Sequence, residues 1–224
     1  MSHELRSPLA AMLAAIEVAR RRRDADPQRA GVEDEALDVL QRRVEAFNRL
    51  VLDLLEISRL DAGVAVLRPE PVDPTRLVGA VLDTMGRSGV VVDAPAEASG
   101  PVLLDKRRVG QMVMNLVENA DRYGGGATRV EITTSGPLVT IAVEDHGPGV
   151  AEHERSYVFE RFARGEAAAR TAASGTGLGL ALVAQHAKLH GGSVRLGDRP
   201  GGGARFVIRL PRHDAVDEER WAGP

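Results

Sequence analysis

Between Leu5 and Arg23 the apolar residues Leu5, Leu9, Met12, Ile16 and Ala19 recur in alternating steps of four and three, a spacing that predicts one amphipathic helix. The segment Asp24 to Glu33 carries Pro27 and Gly31 and reads as a connection. From about Asp34 to Ala62 a second stripe, Leu37, Leu40, Val44, Phe47, Val51 and Leu54, advances in heptad-like steps. Two such helices joined by a short loop make an antiparallel hairpin whose apolar stripe needs further helices beside it. The pattern therefore predicts a dimer built as a four-helix bundle.

After Gly63 the periodicity changes. Prolines at Pro69, Pro71 and Pro74 mark a connection, so residues 1–63 form the hairpin domain and 64–71 a linker. Beyond it, short strand-like runs (Gly89 to Val92, Val102 to Asp105, Arg129 to Thr134, Leu138 to Asp145, Val194 to Leu196, Arg205 to Leu210) alternate with helical segments. The helical segments are Thr75 to Met85, Lys106 to Arg122, Glu152 to Phe159 and Leu178 to His190. This order predicts an α+β protein in which residues 72–212 fold as an α/β sandwich, helices on one face of a mixed sheet. Residues 213–224 read as a disordered polar tail. Phe159 and Phe162 read as core anchors flanking an Ala-, Arg- and Gly-rich mobile lid, Ala163 to Thr176.

Composition narrows the function classes. An apolar fraction of 43% over 224 residues fills an ordinary core, and a net charge of -3 with interspersed signs carries no nucleic-acid or polybasic membrane footprint. Zero cysteines exclude disulfides, thiolate nucleophiles and Cys-based metal sites, and fit a reducing cytoplasm. No apolar run approaches the roughly 20 residues needed to span a bilayer.

Four stretches carry candidate chemistry. In SHELRSPL, His3 and Ser7 fall at i, i+4 on the face opposite the apolar stripe, and Glu4 flanks them. His3 is either an incidental exposed residue or a nucleophile whose tautomer Glu4 fixes by accepting a proton from one ring nitrogen. In QMVMNLVENADRYG, Asn115, Asn119 and Arg122 follow i, i+4, i+7 along the flank of a buried stripe. That edge suits either ligation of a hard divalent cation with phosphate contact, or simple solvation. In LVTIAVEDHGPGV, the carboxylate of Asp145 continues the inward face of Val139, Ile141 and Val143 and needs a donor. A base amino group or backbone amides of a turn would serve, and Gly147 and Gly149 let a flat ligand approach. In SGTGLGLALV, Gly175, Gly177 and Gly179, with Thr176 and Leu178 between them, feed a helix N-terminus, an anion site in principle though neither a Walker loop nor a dinucleotide fingerprint. His186 and His190 share a helix face but lack a third metal ligand.

Read in order, HELRSPL, NLVENADRYG, DHGPGV, FERFARG and GTGLGLALV, the chain resembles the sensor histidine kinases of bacterial two-component systems over nearly all of residues 2 to 212. The resemblance implies a dimerisation and phosphotransfer hairpin followed by a Bergerat-type (GHKL-like) ATP-binding sandwich. It makes His3 the phosphoacceptor, Glu4 its acid/base partner and Ser7 the residue assisting dephosphorylation of the regulator. Asn119 would hold Mg2+ with Asn115 supporting. Arg122 stands where Lys is commoner, and Tyr123 would lie against the nucleotide. Asp145 would accept the adenine amino group, with Gly147 and Gly149 making room. Gly175, Thr176, Gly177, Leu178 and Gly179 would surround the phosphates, and Arg161 or Arg164 would approach the γ-phosphate. The implied cofactors are ATP and Mg2+. The implied partners are a response regulator receiver domain and a second copy of the chain, with no nucleic acid.

The family carries a sensor, often transmembrane, and one or more helical turns ahead of the phosphoacceptor, whereas Met1 and Ser2 alone precede His3 here. The expectation is an N-terminally truncated hairpin, cytoplasmic as given, from a parent anchored in the membrane through its sensor region. Two relatives of different behaviour fit the same motifs: a nucleotide-binding interaction module without autokinase activity, and a phosphatase-dominant form.

Overall fold

A computed structural model describes residues 32–95, 100–163, 165 and 176–212. The chain divides into two compact units, 1–63 and 64–224. In the first unit the described element is a single helix, α1 (Val32–Asp61). No glycine or proline interrupts it, and Gly63, at φ +67, ends it in the left-handed conformation that glycine adopts without a Cβ penalty. Leu40, Phe47 and Leu54, spaced at sevens, are 49%, 55% and 39% exposed. The first arm of the expected hairpin lies outside the described residues.

The second unit runs β1 (Glu70–Val72), α2 (Pro74–Thr84), β2 (Val91–Asp93), β3 (Val102–Leu104), α3 (Lys106–Tyr123), β4 (Ala127–Ser135), β5 (Leu138–Asp145), α4 (Gly179–Leu189), β6 (Ser193–Asp198) and β7 (Ala204–Pro211). Five strands form a mixed sheet in the order β2-β4-β5-β7-β6, parallel between β2 and β4 and antiparallel elsewhere. Period-two alternation sets the register. Val139, Ile141 and Val143 of β5 face Leu210, Ile208 and Phe206 of β7, while Ile132 and Val130 of β4 stand opposite Ile141 and Val143. This face packs on α2, α3 and α4 through Leu77, Val78, Met112, Val113, Leu116 and Val183. The opposite face is polar: Arg205 bridges Glu144 (2.8 Å) and Glu131, and Arg199 approaches Glu144 at 3.6 Å.

Capping explains where the helices begin. Asp73 accepts from Thr75 N (2.9 Å) and Arg76 N (3.2 Å) ahead of Pro74, and Asp105 accepts from Arg108 N (3.0 Å).

Three expectations are corrected. Residues 70–71, assigned to a linker, belong to β1, which pairs antiparallel with β3, so Pro71 sits in a strand with one neighbour, where its missing N–H is tolerated. The segment 152–159 forms two 3-10 turns, Glu152–Glu154 and Tyr157–Phe159, closed by Arg155 N to Glu152 O and Glu160 N to Tyr157 O, and not one α-helix. Phe159 meets Phe206 edge to face with centroids 6.4 Å apart, but Phe162 is 57% exposed at φ +60 and anchors no core. The expected lid, apart from residues 163, 165 and 176, and the tail 213–224 lie outside the described residues. Among the described residues no helix is long and apolar enough to cross a membrane.

At the end of the second unit where α3 starts and α4 stops, Asp105, Arg108, His186 and His190 form a buried polar cluster. Asp105 also accepts from Arg68 N at 3.1 Å, which ties residue 68 to α3. Arginine cannot accept a hydrogen bond, so at 3.2 Å the His186 Nδ1 accepts from Arg108. The Nδ1–H of His190 donates to the His186 carbonyl (2.7 Å), and the enclosed His190 Nε2 has no hydrogen-bond partner among the described residues. Burial is the largest influence on His190 and pushes its pKa below the ordinary 6.5, with Arg108 acting the same way and the His186 carbonyl and Asp105 opposing. The unfolded chain thus binds the proton more readily, and folding stability falls as pH drops through about 6.5. Thermal unfolding at pH 7.5 and 5.5 checks this: the acid-induced loss in Tm should shrink in His190→Asn, whose amide can still donate to the His186 carbonyl.

Candidate functional site

Four elements of the second unit contribute the sequence-predicted binding residues: the C-terminal half of α3, the end of β5, the loop that follows it, and the start of α4. Asp145 closes the apolar face of β5 and is 4% exposed. Its Oδ1 accepts from Gly147 N (2.9 Å) and Ala204 N (3.1 Å). Backbone amides of a turn therefore do satisfy this carboxylate, but through one oxygen. Among the described residues Oδ2 accepts no hydrogen bond, and it is not one of the enclosed side-chain atoms that lack a partner.

Gly124, the C-cap of α3, lies directly against that carboxylate, and a Cβ there would collide with Asp145 Cγ. A Cβ on Gly147 would meet Gly124 Cα at 2.5 Å and Tyr123 O at 2.9 Å. The chain through Tyr123–Gly124 and the loop through Gly147 thus pack backbone to backbone around Asp145. Gly149 adopts φ +72.

Along α3, Asn115 is committed to the protein. Its Oδ1 accepts from Gln111 Nε2 (3.0 Å) and its Nδ2 donates to the Gly179 carbonyl (3.1 Å), which joins α3 to the first turn of α4. Asn119, one turn on and half-buried, makes no side-chain hydrogen bond among the described residues. Arg122 stands 4.0 Å from Glu118, an i, i+4 surface pair of the kind that contributes little to stability. Tyr123 is half-buried beside Gly124.

Helix α4 begins without a side-chain cap: Leu178 occupies the N-cap, and the first turn holds no acidic residue. Its leading N–H groups and positive dipole end suit an anion. Thr176 Oγ1 accepts from Leu178 N at 3.3 Å, and Gly177, at φ +69, packs so closely on Phe162 that a Cβ would lie 2.7 Å from its Cα. The Phe162 N–H donates to the Gly177 carbonyl (2.9 Å). Arg161 is exposed. His3, Glu4, Ser7, Arg164 and Gly175 lie outside the described residues.

From Asn115 at the α4 end to Tyr123 at the Asp145 end is eight residues of helix, about 12 Å at 1.5 Å per residue. An acceptor with an unengaged oxygen stands at one end, an uncapped helix terminus at the other, and the Asn119 carboxamide between them. Gln111, Gly124 and Ala204 are members of this arrangement that sequence reasoning did not mark. Gly124 was visible as a helix stop after Tyr123, whereas Ala204 is brought in by strand pairing alone.

A five-stranded mixed sheet backed by three helices, with these groups at one end, is the Bergerat-type α/β sandwich. Residues 104–214 match the family described as "Histidine kinase-, DNA gyrase B-, and HSP90-like ATPase", and residues 1–63 match the "His Kinase A (phospho-acceptor) domain". The chain belongs to the sensor histidine kinases, carrying their phosphoacceptor domain followed by their ATPase domain. It is 40% identical over 216 residues to the sensor-type histidine kinase PrrB of Mycobacterium tuberculosis, covering 94% of this chain and 46% of that protein. The solved ATP-binding domain of PrrB superposes with a TM-score of 0.51 at 37% identity, over 65% of this chain and 98% of that one. Full-length ShkA in complex with AMPPNP gives 0.71 at 28% identity, over 96% of this chain and 45% of that one. The chain thus spans about half the length of the curated relative it matches.

The packing around Asp145 leaves no room for a side chain on Gly124. Gly124→Ala should cost about 1–3 kcal/mol, the usual penalty for overpacking. Urea denaturation of the full chain checks this through a lowered midpoint; an unchanged midpoint would show that α3 and β5 do not meet so closely.

Proposed function

We propose that this chain is the phosphotransfer portion of an ATP-dependent protein-histidine kinase, labelling His3 from ATP and passing the phosphoryl group to an aspartate of a response regulator. The observation that carries the reading is the alignment along α3 of a base acceptor, Asp145, with the uncapped N-terminus of α4. Oδ2 of Asp145 would accept the adenine amino group, with Tyr123 beside the base and Gly147 and Gly149 allowing its approach. The α4 N–H groups, with Gly175, Thr176, Gly177 and Gly179 around them, would take the phosphates. Arg161 or Arg164 would approach the γ-phosphate, and Arg122 carries positive charge on the α3 flank beside Tyr123.

Asn119 fits a magnesium site of the usual sparse kind. Among the described residues its half-buried carboxamide oxygen has no competing donor, and they contain no cluster of three His, Cys, Asp or Glu. Mg2+ keeps several waters and is held by one or two protein oxygens plus substrate phosphates. When bound it would neutralise phosphate charge. Asn115, spent on Gln111 and Gly179, positions the start of α4 and does not ligate.

In the transfer step a ring nitrogen of His3 attacks the γ-phosphorus in line as the bond to the ADP oxygen breaks, and Glu4 holds the proton on the other ring nitrogen. An unperturbed imidazole, pKa about 6.5, is largely neutral and nucleophilic at physiological pH. The protein contributes positioning and charge complementarity, the main sources of rate in phosphoryl transfer. Ser7, one helical turn from His3, would assist removal of phosphate from the regulator.

Exposure of Leu40, Phe47 and Leu54 on α1 supports pairing with a second copy, because a heptad seam of this kind is buried against another helix. This reading implies a cytoplasmic location for this portion of the protein, where ATP and a receiver aspartate would be met.

Incubation of the full chain with Mg2+ and γ-labelled ATP tests the reading. Wild type should acquire acid-labile label, His3→Gln none, and Asn119→Ala little. Nucleotide binding without label on wild type, even with helix supplied ahead of Met1, would contradict it.

A further inference from the structure

The carboxylate of Asp145 is held from two directions. Gly147, two residues along, closes an Asx turn onto Oδ1 at 2.9 Å, and Ala204, fifty-nine positions later, donates its N–H to the same oxygen at 3.1 Å from the start of β7. The turn between β6 and β7 delivers this second donor. Arg199 N donates to the Gly203 carbonyl (3.1 Å), Gly202 N donates to the Arg199 carbonyl (3.0 Å), and Asp198 pairs with Ala204 across the hairpin. Gly203, at φ +106, lies so close to β5 that a Cβ would collide with the Asp145 carbonyl oxygen and stand 3.1 Å from His146 Cα. Further out, Arg155 ties the same hairpin down through Asp198 at 2.6 Å.

An Asx turn alone leaves the carboxylate plane free to turn about Cβ–Cγ. A second N–H from another element removes that freedom, because rotation by a quarter turn breaks both bonds at once. Oδ1 is thereby confined and Oδ2 is left as the acceptor presented outward.

We propose that Gly203 and Ala204 are positioning residues for the nucleotide base: the β6–β7 hairpin holds the plane of the Asp145 carboxylate so that an acceptor lone pair stays aimed at the ligand, which sharpens selectivity for a purine bearing a 6-amino group over one bearing a 6-oxo group. The proposal rests on the reading of Asp145 as the base acceptor. A 6-amino group donates to Oδ2, whereas a 6-oxo group opposes lone pair to lone pair. A polar site built for one partner rejects the analogue that lacks it more strongly than an apolar pocket does.

Calorimetric titration of the full chain with Mg·ATP and with Mg·ITP tests this. Wild type should bind ATP at least about tenfold tighter than ITP, the fold-change expected of one hydrogen bond to a charged group. Ala204→Pro removes the donor at the first residue of a strand, and Gly203→Ala displaces it. Each should bring the ATP/ITP ratio toward unity, chiefly through weaker ATP binding, while Ala204→Ser, which keeps the N–H, retains the ratio. A general loss of structure lowers both affinities together and leaves the ratio unchanged. The unsubstituted protein gives a reading independent of folding in the variants: the Ala204 amide should be protected from hydrogen exchange without nucleotide. Equal wild-type affinity for ATP and ITP would overturn the reading of Asp145 and this inference with it. A wild-type preference that survives in both Ala204→Pro and Gly203→Ala while ATP affinity is retained, or rapid exchange at Ala204, would overturn this inference alone.

Discussion

Asp145 ends a strand whose other inward side chains, Val139, Ile141 and Val143, are wholly apolar, and a carboxylate in that position must be met by donors. The donors come from backbone, and backbone reaches a carboxylate closely only where side chains are absent. Gly124 and Gly147 lie against the carboxylate for that reason, and Gly203 packs on the Asp145 main chain so that the next residue, Ala204, can donate to it. Three separate segments are thus fixed to one another by the need to satisfy one buried group. The same packing sets where α3 stops, because the chain must shed its side chain at Gly124 to pass Asp145.

Helix α3 then acts as the ruler of the site. Its buried stripe, Val109, Met112, Val113, Leu116 and Ala120, holds it against the core, and its flank carries Asn115, Asn119 and Arg122 in a line. The bond from Asn115 to the Gly179 carbonyl registers the start of α4 at one end of that line, as Gly124 registers Asp145 at the other. Spacing between Asp145 and the uncapped start of α4 is therefore built into a helix, and in the proposed reading it sets the distance between base and phosphates. The proposed phosphoryl transfer, which depends largely on positioning and charge neutralisation, would benefit from that arrangement.

Much of this was legible in the sequence where a period and a stop signal coincide. The α3 stripe, opened by Asp105 and closed by Tyr123–Gly124, and the alternation in β5 gave both the elements and the inward direction of Asp145. What escaped depends on pairing between distant segments. Ala204 reaches Asp145 because β7 lies antiparallel to β5, a fact of topology with no local signature. β1 was read as linker because a strand of three residues among prolines has too short a pattern to alternate. Phe162 was read as a core anchor on hydrophobicity alone, but a residue at φ +60 whose N–H is bonded to Gly177 directs its side chain by backbone geometry, and the ring stays exposed. The five motifs together identified the family, although the individual chemistry of His3, of the α3 flank and of Asp145 had each left two readings open.

The central claim is that nucleotide lies along α3 between Asp145 and the start of α4. Amide chemical-shift mapping of the full chain, titrated with a non-hydrolysable ATP analogue and Mg2+, tests it most directly. The account predicts the largest changes at Gly147, Ala204 and the first-turn amides Gly179, Leu180 and Ala181, with Asn119 side-chain signals moving only when Mg2+ is present. Changes at the α4 amides without any at Gly147 and Ala204, or the reverse, would contradict it.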